Sequence, residues 1–214
     1  ERAEMSMKES ENVDGEDETY VKIDADSKKK TIRWKSLKEM KEYLRSEFEK
    51  KTKTWQRKEG QGYLHFAAYL GDVDATKILL IEDKAEVNAT DEDERTPIHF
   101  AARKGHVDVA KVLIQNGADV NAVDVRKWTA LHEAADGGHV DVSKVLIQNG
   151  ADVNAVAEYK WTALHFAAKY GHVDVAKVLI QNGADVNAVD NDQQTALYSA
   201  IRCGHVVVAK MLLQ

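Results

Sequence analysis

A mainly α solenoid of stacked short repeats is the fold class this sequence predicts, and three observations carry it. The stretch Gly-His-Val-Asp-Val, with Ile-Gln-Asn-Gly-Ala-Asp-Val-Asn-Ala shortly after it, begins at Gly105, Gly138 and Gly171, a spacing of 33 residues. A fourth copy starts at Gly204 and a worn one at Gly71, so one unit is stacked about five times between Arg57 and Gln214. Inside each unit the apolar residues recur at helical spacing.

The third unit shows why. Leu131, Ala134 and Ala135 fall at i, i+3 and i+4, and Val142, Val145 and Leu146 do the same, which places one apolar stripe on each of two short helices. Gly138 ends the first helix and Gly150 the second, where a left-handed residue closes a helix without a Cβ penalty. Helices this short do not repay their nucleation cost alone in water, so stacking must supply the missing burial. The alanines of the first helix allow close approach, and the leucines and valines of the second form a continuous core.

The units resemble the ankyrin repeat family. Thr96-Pro97-Ile98-His99, Thr129-Ala130-Leu131-His132 and Thr162-Ala163-Leu164-His165 match its Thr-Pro-Leu-His box, and Asn-Gly-Ala-Asp-Val-Asn-Ala matches its inter-repeat loop. The resemblance implies a helix-loop-helix and a β-finger in every repeat, with boundaries at 57–90, 91–123, 124–156, 157–189 and a truncated 190–214. It leaves residues 1–56 unexplained.

All eight histidines belong to the template. His65, His99, His132 and His165 close the box, and His106, His139, His172 and His205 follow the glycine between the helices. They read as hydrogen-bonding braces, so no metal, cofactor or catalytic residue is expected. One cysteine, Cys203, cannot form an internal disulfide, which points to a reducing compartment. A chain 31% charged, with net charge −6 and no membrane-length apolar run, is expected in the cytoplasm, or in a host cytosol if it is a secreted effector.

Residues 1–18 read as a disordered acidic tail. Residues 19–56 read as a small strand-strand-helix module: Tyr20–Ile23 and Thr31–Trp34 are strand-like, and Ser36 with Glu39 makes a capping box for a helix whose face is Leu37, Met40, Leu44 and Phe48. That helix is expected to cap the degenerate first repeat, where Gly62 and Asp72 replace the usual Thr and His. A sharper alternative is nucleic-acid or anionic-membrane binding through the basic residues of 28–58, near Trp34 and Trp55. At the other end Lys210–Gln214 aligns with Lys111–Gln115, so the sequence stops within a second helix. The reading is a boundary inside a longer array, whose uncapped repeat could also pair with another copy.

The repeats can be compared with one another. Their second helices and loops hardly change; the changing positions are the finger before the Thr box, the residue after its histidine, and the two residues before the glycine. In the ankyrin family these line a concave groove that binds proteins, so the resemblance implies a partner-binding surface there. Repeat two offers Arg95, Arg103 and Lys104; repeat three Arg126, Trp128, Glu133 and Asp136; repeat four Tyr159, Trp161, Phe166, Lys169 and Tyr170. Trp, Tyr and Arg dominate binding hot spots, which centres the candidate on repeats three and four. For Trp128 and Trp161 an equal reading is packing on the preceding finger. Phe66, Phe100 and Phe166 recur at one position and suit internal filling, whereas Tyr159 and Tyr170 do not recur.

Two departures from the family pattern matter. The finger's usual fourth-position glycine is replaced by Glu94, Lys127, Lys160 and Gln193, so the tips either turn differently or hold strain of about 1 kcal/mol or more each. Ala157 stands where aspartate opens the other fingers, removing a turn-stabilising acceptor. The reading is a non-enzymatic protein-binding module, with two alternatives: the targeting arm of a larger enzyme or toxin, and nucleic-acid or membrane binding through residues 28–58.

Overall fold

The computed structural model describes residues 20–21, 33–34, 38–39, 42–43, 46 and 61–213. The chain divides into two units, Glu1–Tyr43 and Leu44–Gln214. In the first, β1 (Tyr20–Val21) pairs antiparallel with β2 (Arg33–Trp34), Tyr20 opposite Trp34 and Val21 opposite Arg33. Lys38, Glu39, Glu42 and Tyr43 are helical. The acidic tail, the apolar face of Leu37, Met40, Leu44 and Phe48, and most of the basic stretch lie outside the described residues.

In the second unit helices come in pairs: α1 (Gln61–Leu70) and α2 (Val73–Ile81), α3 (Pro97–Lys104) and α4 (Val107–Gln115), α5 (Ala130–Gly137) and α6 (Val140–Gln148), α7 (Ala163–Tyr170) and α8 (Val173–Gln181), α9 (Ala196–Arg202) and α10 (Val206–Leu212). The first helices pack in series, α1 on α3, α3 on α5, α5 on α7 and α7 on α9, and the second helices form a parallel outer row. This is the mainly α solenoid that the 33-residue spacing predicts. Ala101, Ala102, Ala134, Ala135, Ala167 and Ala168 are fully buried where the inner helices meet, and Leu113, Leu146 and Leu179 fill the space behind them. Each buried leucine contributes about 1.5–3 kcal/mol, the gain that isolated short helices lack.

Directed hydrogen bonds fix the stack. His106 donates from Nε2 to the Tyr69 carbonyl at 3.0 Å, His139 to Arg103, His172 to Asp136 and His205 to Lys169. Each accepting carbonyl lies in the last turn of the preceding inner helix, where no intrahelical donor remains. Gly138 between α5 and α6 is needed twice over: its φ is +73°, and a Cβ there would fall 2.6 Å from Nδ1 of His172. Behind the helices, Asn88, Asn121 and Asn154 each donate to a glycine carbonyl of the next repeat and accept an aspartate N–H from it, at 2.8–3.1 Å. In the worn first unit Asp72 takes the histidine position and caps α2 by accepting the Ala75 N–H at 3.0 Å.

Fingers project ahead of each Thr box. In three of them an aspartate organises the turn: Asp91 accepts from the N–H of Asp93 and Arg95, Asp124 from Arg126 and Trp128, and Asp190 from Asp192 and Gln194. Neighbouring fingers share one main-chain bond each, Val125 to Asp93, Glu158 to Arg126 and Asn191 to Tyr159. The tips keep the glycine geometry without the glycine, with φ of 61° at Glu94, 59° at Lys127, 61° at Lys160 and 60° at Gln193. Strain at the tips is therefore the outcome, not a different turn. Repeat four differs further: with Ala157 in the aspartate place, Glu158–Lys160 winds into a 3-10 turn and Tyr159 is also left-handed, at φ 60°.

Candidate protein-binding groove

The groove positions lie on the fingers and on the inner helices that start directly after them. The Thr box aims the helix: Thr129 N–H and hydroxyl both contact Nδ1 of His132, at 3.1 and 2.9 Å, while His132 Nε2 donates to the Ala155 carbonyl at 3.1 Å. The same bracket holds Thr96 with His99 and Thr162 with His165, the far nitrogens donating to Trp128 and Gln194 carbonyls in the following fingers. A nitrogen that accepts an N–H carries no proton, so the rings are neutral. Burial lowers His99 and His165 and brings His132 down to about 4.

Repeats three and four form one aromatic cluster. Trp128 lies 4.4 Å and Trp161 5.0 Å, centroid to centroid, from Phe166. Phe166 is 6% exposed, so of its two sequence readings, groove contact and internal filler, its place beneath the two indoles favours the filler. The tryptophans are half-buried and lean on Phe166 of α7. Cations cover the rings: Arg126 stands 4.4 Å above Trp128, and Lys169 stands 5.2 Å from Trp161 and 4.8 Å from Tyr170. Lys104 covers Tyr69 in the same way at 4.6 Å. Tyr69 was missed in the sequence, although it occupies the position of Arg103, Asp136 and Lys169.

The remaining charges divide by availability. Arg95 is held by Asp91 and Asp93, each at 2.8 Å, and leans over Phe100, which makes it a brace for its own finger. Arg126 forks onto buried Asp124 at 3.3 and 3.2 Å. Glu133 is 2% exposed, so it too departs from the expected surface contact. Arg126 approaches its Oε1 at 3.7 Å and Arg103 its Oε2 at 3.9 Å, both too long for hydrogen bonds, and Oε1 has no hydrogen-bond partner among the described residues. Burial raises the Glu133 carboxyl above the usual carboxylate range, with the two arginines pulling the other way. Tyr159 and Tyr170 are 66% and 44% exposed at the finger and the helix end of repeat four, and Arg103 and Lys104 are exposed at the helix end of repeat two. Val123 and Val156, exposed just before their fingers, add an apolar edge that the comparison of repeats passed over because valine is common to both.

Among the described residues no helix is long and apolar enough to cross a membrane. Comparison with known proteins finds ankyrin repeats in a run of curated relatives. The chain is 39% identical over 75 residues to ankyrin repeat domain-containing protein 49 of Mus musculus, covering 32% of each. It is 41% identical over 58 residues to alpha-latrocrustotoxin-Lt1a of Latrodectus tredecimguttatus, 27% of this chain and 4% of the toxin. It is 44% identical over 52 residues to the mitochondrial liver isoform of glutaminase from Rattus norvegicus, 24% of this chain and 8% of that protein. The chain thus spans no more than 32% of the length of these relatives. The family profile described as ankyrin repeats (3 copies) matches residues 64–157 and 155–214. With the greater part of its length so matched, this chain belongs to the ankyrin repeat family and carries a protein–protein interaction module.

Proposed function

We propose that this chain captures a partner protein in the concave groove of repeats two to four, with no catalysis of its own. One observation carries the reading: the exposed residues that break the repeat template, above all Tyr159, Tyr170, Arg103 and Lys104, gather on the fingers and inner-helix ends, while the outer helices keep the template. Tyrosine and arginine bury large areas at low rotamer cost, which suits them to a docking surface. Trp128, Trp161 and Phe166 form the rigid floor, and Arg126, Asp136 and Lys169 the polar wall. Pull-down with the whole chain, set against a Tyr159→Ala/Tyr170→Ala variant, tests this. Loss of the captured protein by a variant of unchanged melting temperature supports the groove, and unchanged capture sinks it. The near-identity of the middle repeats suits a host-directed effector or an engineered binder in the cytosol.

A second reading is that the array targets a larger enzyme or toxin. It is favoured by the match to short parts of the glutaminase and the latrocrustotoxin, and the full reading frame decides it. Nucleic-acid or anionic-membrane binding by residues 28–58 rests on sequence alone, and a salt titration against DNA and anionic vesicles tests it.

A further inference from the structure

We infer that Glu133 and Asp136 of α5 form the seat for one basic side chain, lysine or arginine, of the partner segment that lies along the groove. The inference rests on the groove reading and adds the chemistry of its centre.

The repeats themselves supply the contrast. At the residue after the box histidine, α3 carries Phe100 and α7 carries Phe166, both buried, and α5 carries Glu133. At the second residue before the glycine, α3 carries Arg103 and α7 carries Lys169, and α5 carries Asp136. Both positions turn acidic together in the middle helix, and they stand i, i+3 on one face. The change does nothing for stability: a carboxylate replaces an apolar ring in a buried place, and Glu133 Oε1 is left with no hydrogen bond. A residue that breaks the template at a cost to its own fold, at the centre of the proposed docking surface, fits a role in binding.

The surrounding charges choose the ligand. Glu133 faces two guanidiniums, those of Arg103 and Arg126, while Asp124 pairs with Arg126 and Asp136 stands one turn along α5, so three carboxyl groups gather around two arginines. Asp124 already holds Arg126 through Nε and Nη2, which keeps that arginine from turning fully to Glu133. The side chains of Arg103 and Arg126 are 53% and 44% exposed, so an incoming cation can displace either from above the carboxylate. On either side, Lys104 and Lys169 face aromatic rings with no carboxylate pair among the described residues, so acidic groups flanking the basic residue suit those ends. The recognised segment therefore has a basic residue at its centre and acidic residues to either side.

A random peptide library displayed on phage and selected against the full chain tests this. Enriched peptides should share a lysine or arginine at one position. Synthetic copies should bind about tenfold or more weakly to Glu133→Phe/Asp136→Lys, which gives α5 the residues of α7, and to the shape-preserving Glu133→Gln/Asp136→Asn, with melting temperatures not lowered in either. Changing the shared basic residue of the peptide to glutamate should restore binding to the lysine-bearing variant. Enriched peptides without a shared basic residue, or undiminished binding to both variants, overturn the inference. Hydrogen exchange separates this failure from failure of the groove: peptides that protect α3, α5 and α7 without needing Glu133 and Asp136 leave the groove reading standing. Peptides that protect the outer helices instead, or no enriched peptide at all, count against both.

Discussion

Thr129 and His132 clasp each other at the head of α5, the threonine N–H and hydroxyl meeting one ring nitrogen at 3.1 and 2.9 Å while the other nitrogen reaches Ala155 at the end of the same repeat. One neutral imidazole thus sets a helix start and ties it to the loop that leads into the next finger. Protonation at Nδ1 would put a hydrogen where an N–H already points, and it would place a charge among buried groups.

That geometry fixes the sign of a pH effect. The folded His132 titrates at about 4, below the ordinary value near 6.5, so between these the unfolded chain binds a proton that the native chain does not. Its contribution is full above about pH 6.5 and is lost as pH falls toward 4, on the order of 3 kcal/mol. His99 and His165 shift the same way. Urea midpoints measured from neutral pH down to this range should fall, and His132→Gln, less stable at neutral pH, should fall less steeply. Parallel slopes for the two proteins would refute the account.

Glycines with one backbone conformation should differ in what they tolerate. Gly138 and Gly150 are both left-handed, at φ +73° and +87°, but a Cβ at Gly138 meets the His172 ring at 2.6 Å whereas one at Gly150 meets nothing within 4 Å. Gly150→Ala should cost only the left-handed penalty, about 1–2 kcal/mol. Gly138→Ala should cost clearly more, since His172 must also give up its bond to the Asp136 carbonyl. Equal losses in chemical denaturation would show that the ring yields freely.

The fourth finger can be repaired. Ala157→Asp should accept the N–H of Tyr159 and Trp161, as Asp124 does for Arg126 and Trp128, and stabilise by about 0.5–1.5 kcal/mol. Slower amide exchange at residues 159 and 161, with Tyr159 leaving the left-handed region, is the expected sign. No change in exchange would mean that the 3-10 turn does not depend on the missing carboxylate.

What could be read from sequence divides along physical lines. The helix pairs were legible because Leu131, Ala134 and Ala135 repeat their spacing in every unit, and the histidine braces because the template spends each one identically. Left-handed tips at Lys127 and Lys160 were readable only as a choice between strain and another turn, since φ has no sequence signature beyond glycine. Phe166 and Glu133 share one position with opposite chemistry; the recurrence of phenylalanine there already suited Phe166 to internal filling, whereas variation alone marked Glu133 as surface. Burial there is decided by Trp128 and Trp161 closing over Phe166, and by Arg103 and Arg126 over Glu133, and in each pair one contact, Trp128 to Phe166 or Arg103 to Glu133, comes from the preceding repeat.

The groove reading makes its sharpest claim through residues that differ in depth. Tyr159 and Tyr170 are exposed and brace little, so Tyr159→Ala and Tyr170→Ala should leave the melting temperature alone and each cost about 2 kcal/mol or more of partner affinity. Trp161→Ala should cost stability first, because it uncovers Phe166 at 5.0 Å, and its binding loss must be read after that correction. Lys111→Ala on α4 removes only an exposed pair with Asp108 at 3.6 Å and should change neither quantity. Calorimetry against the captured partner measures all four. Binding that survives both tyrosine changes but disappears with Lys111 would move the docking surface to the outer helices.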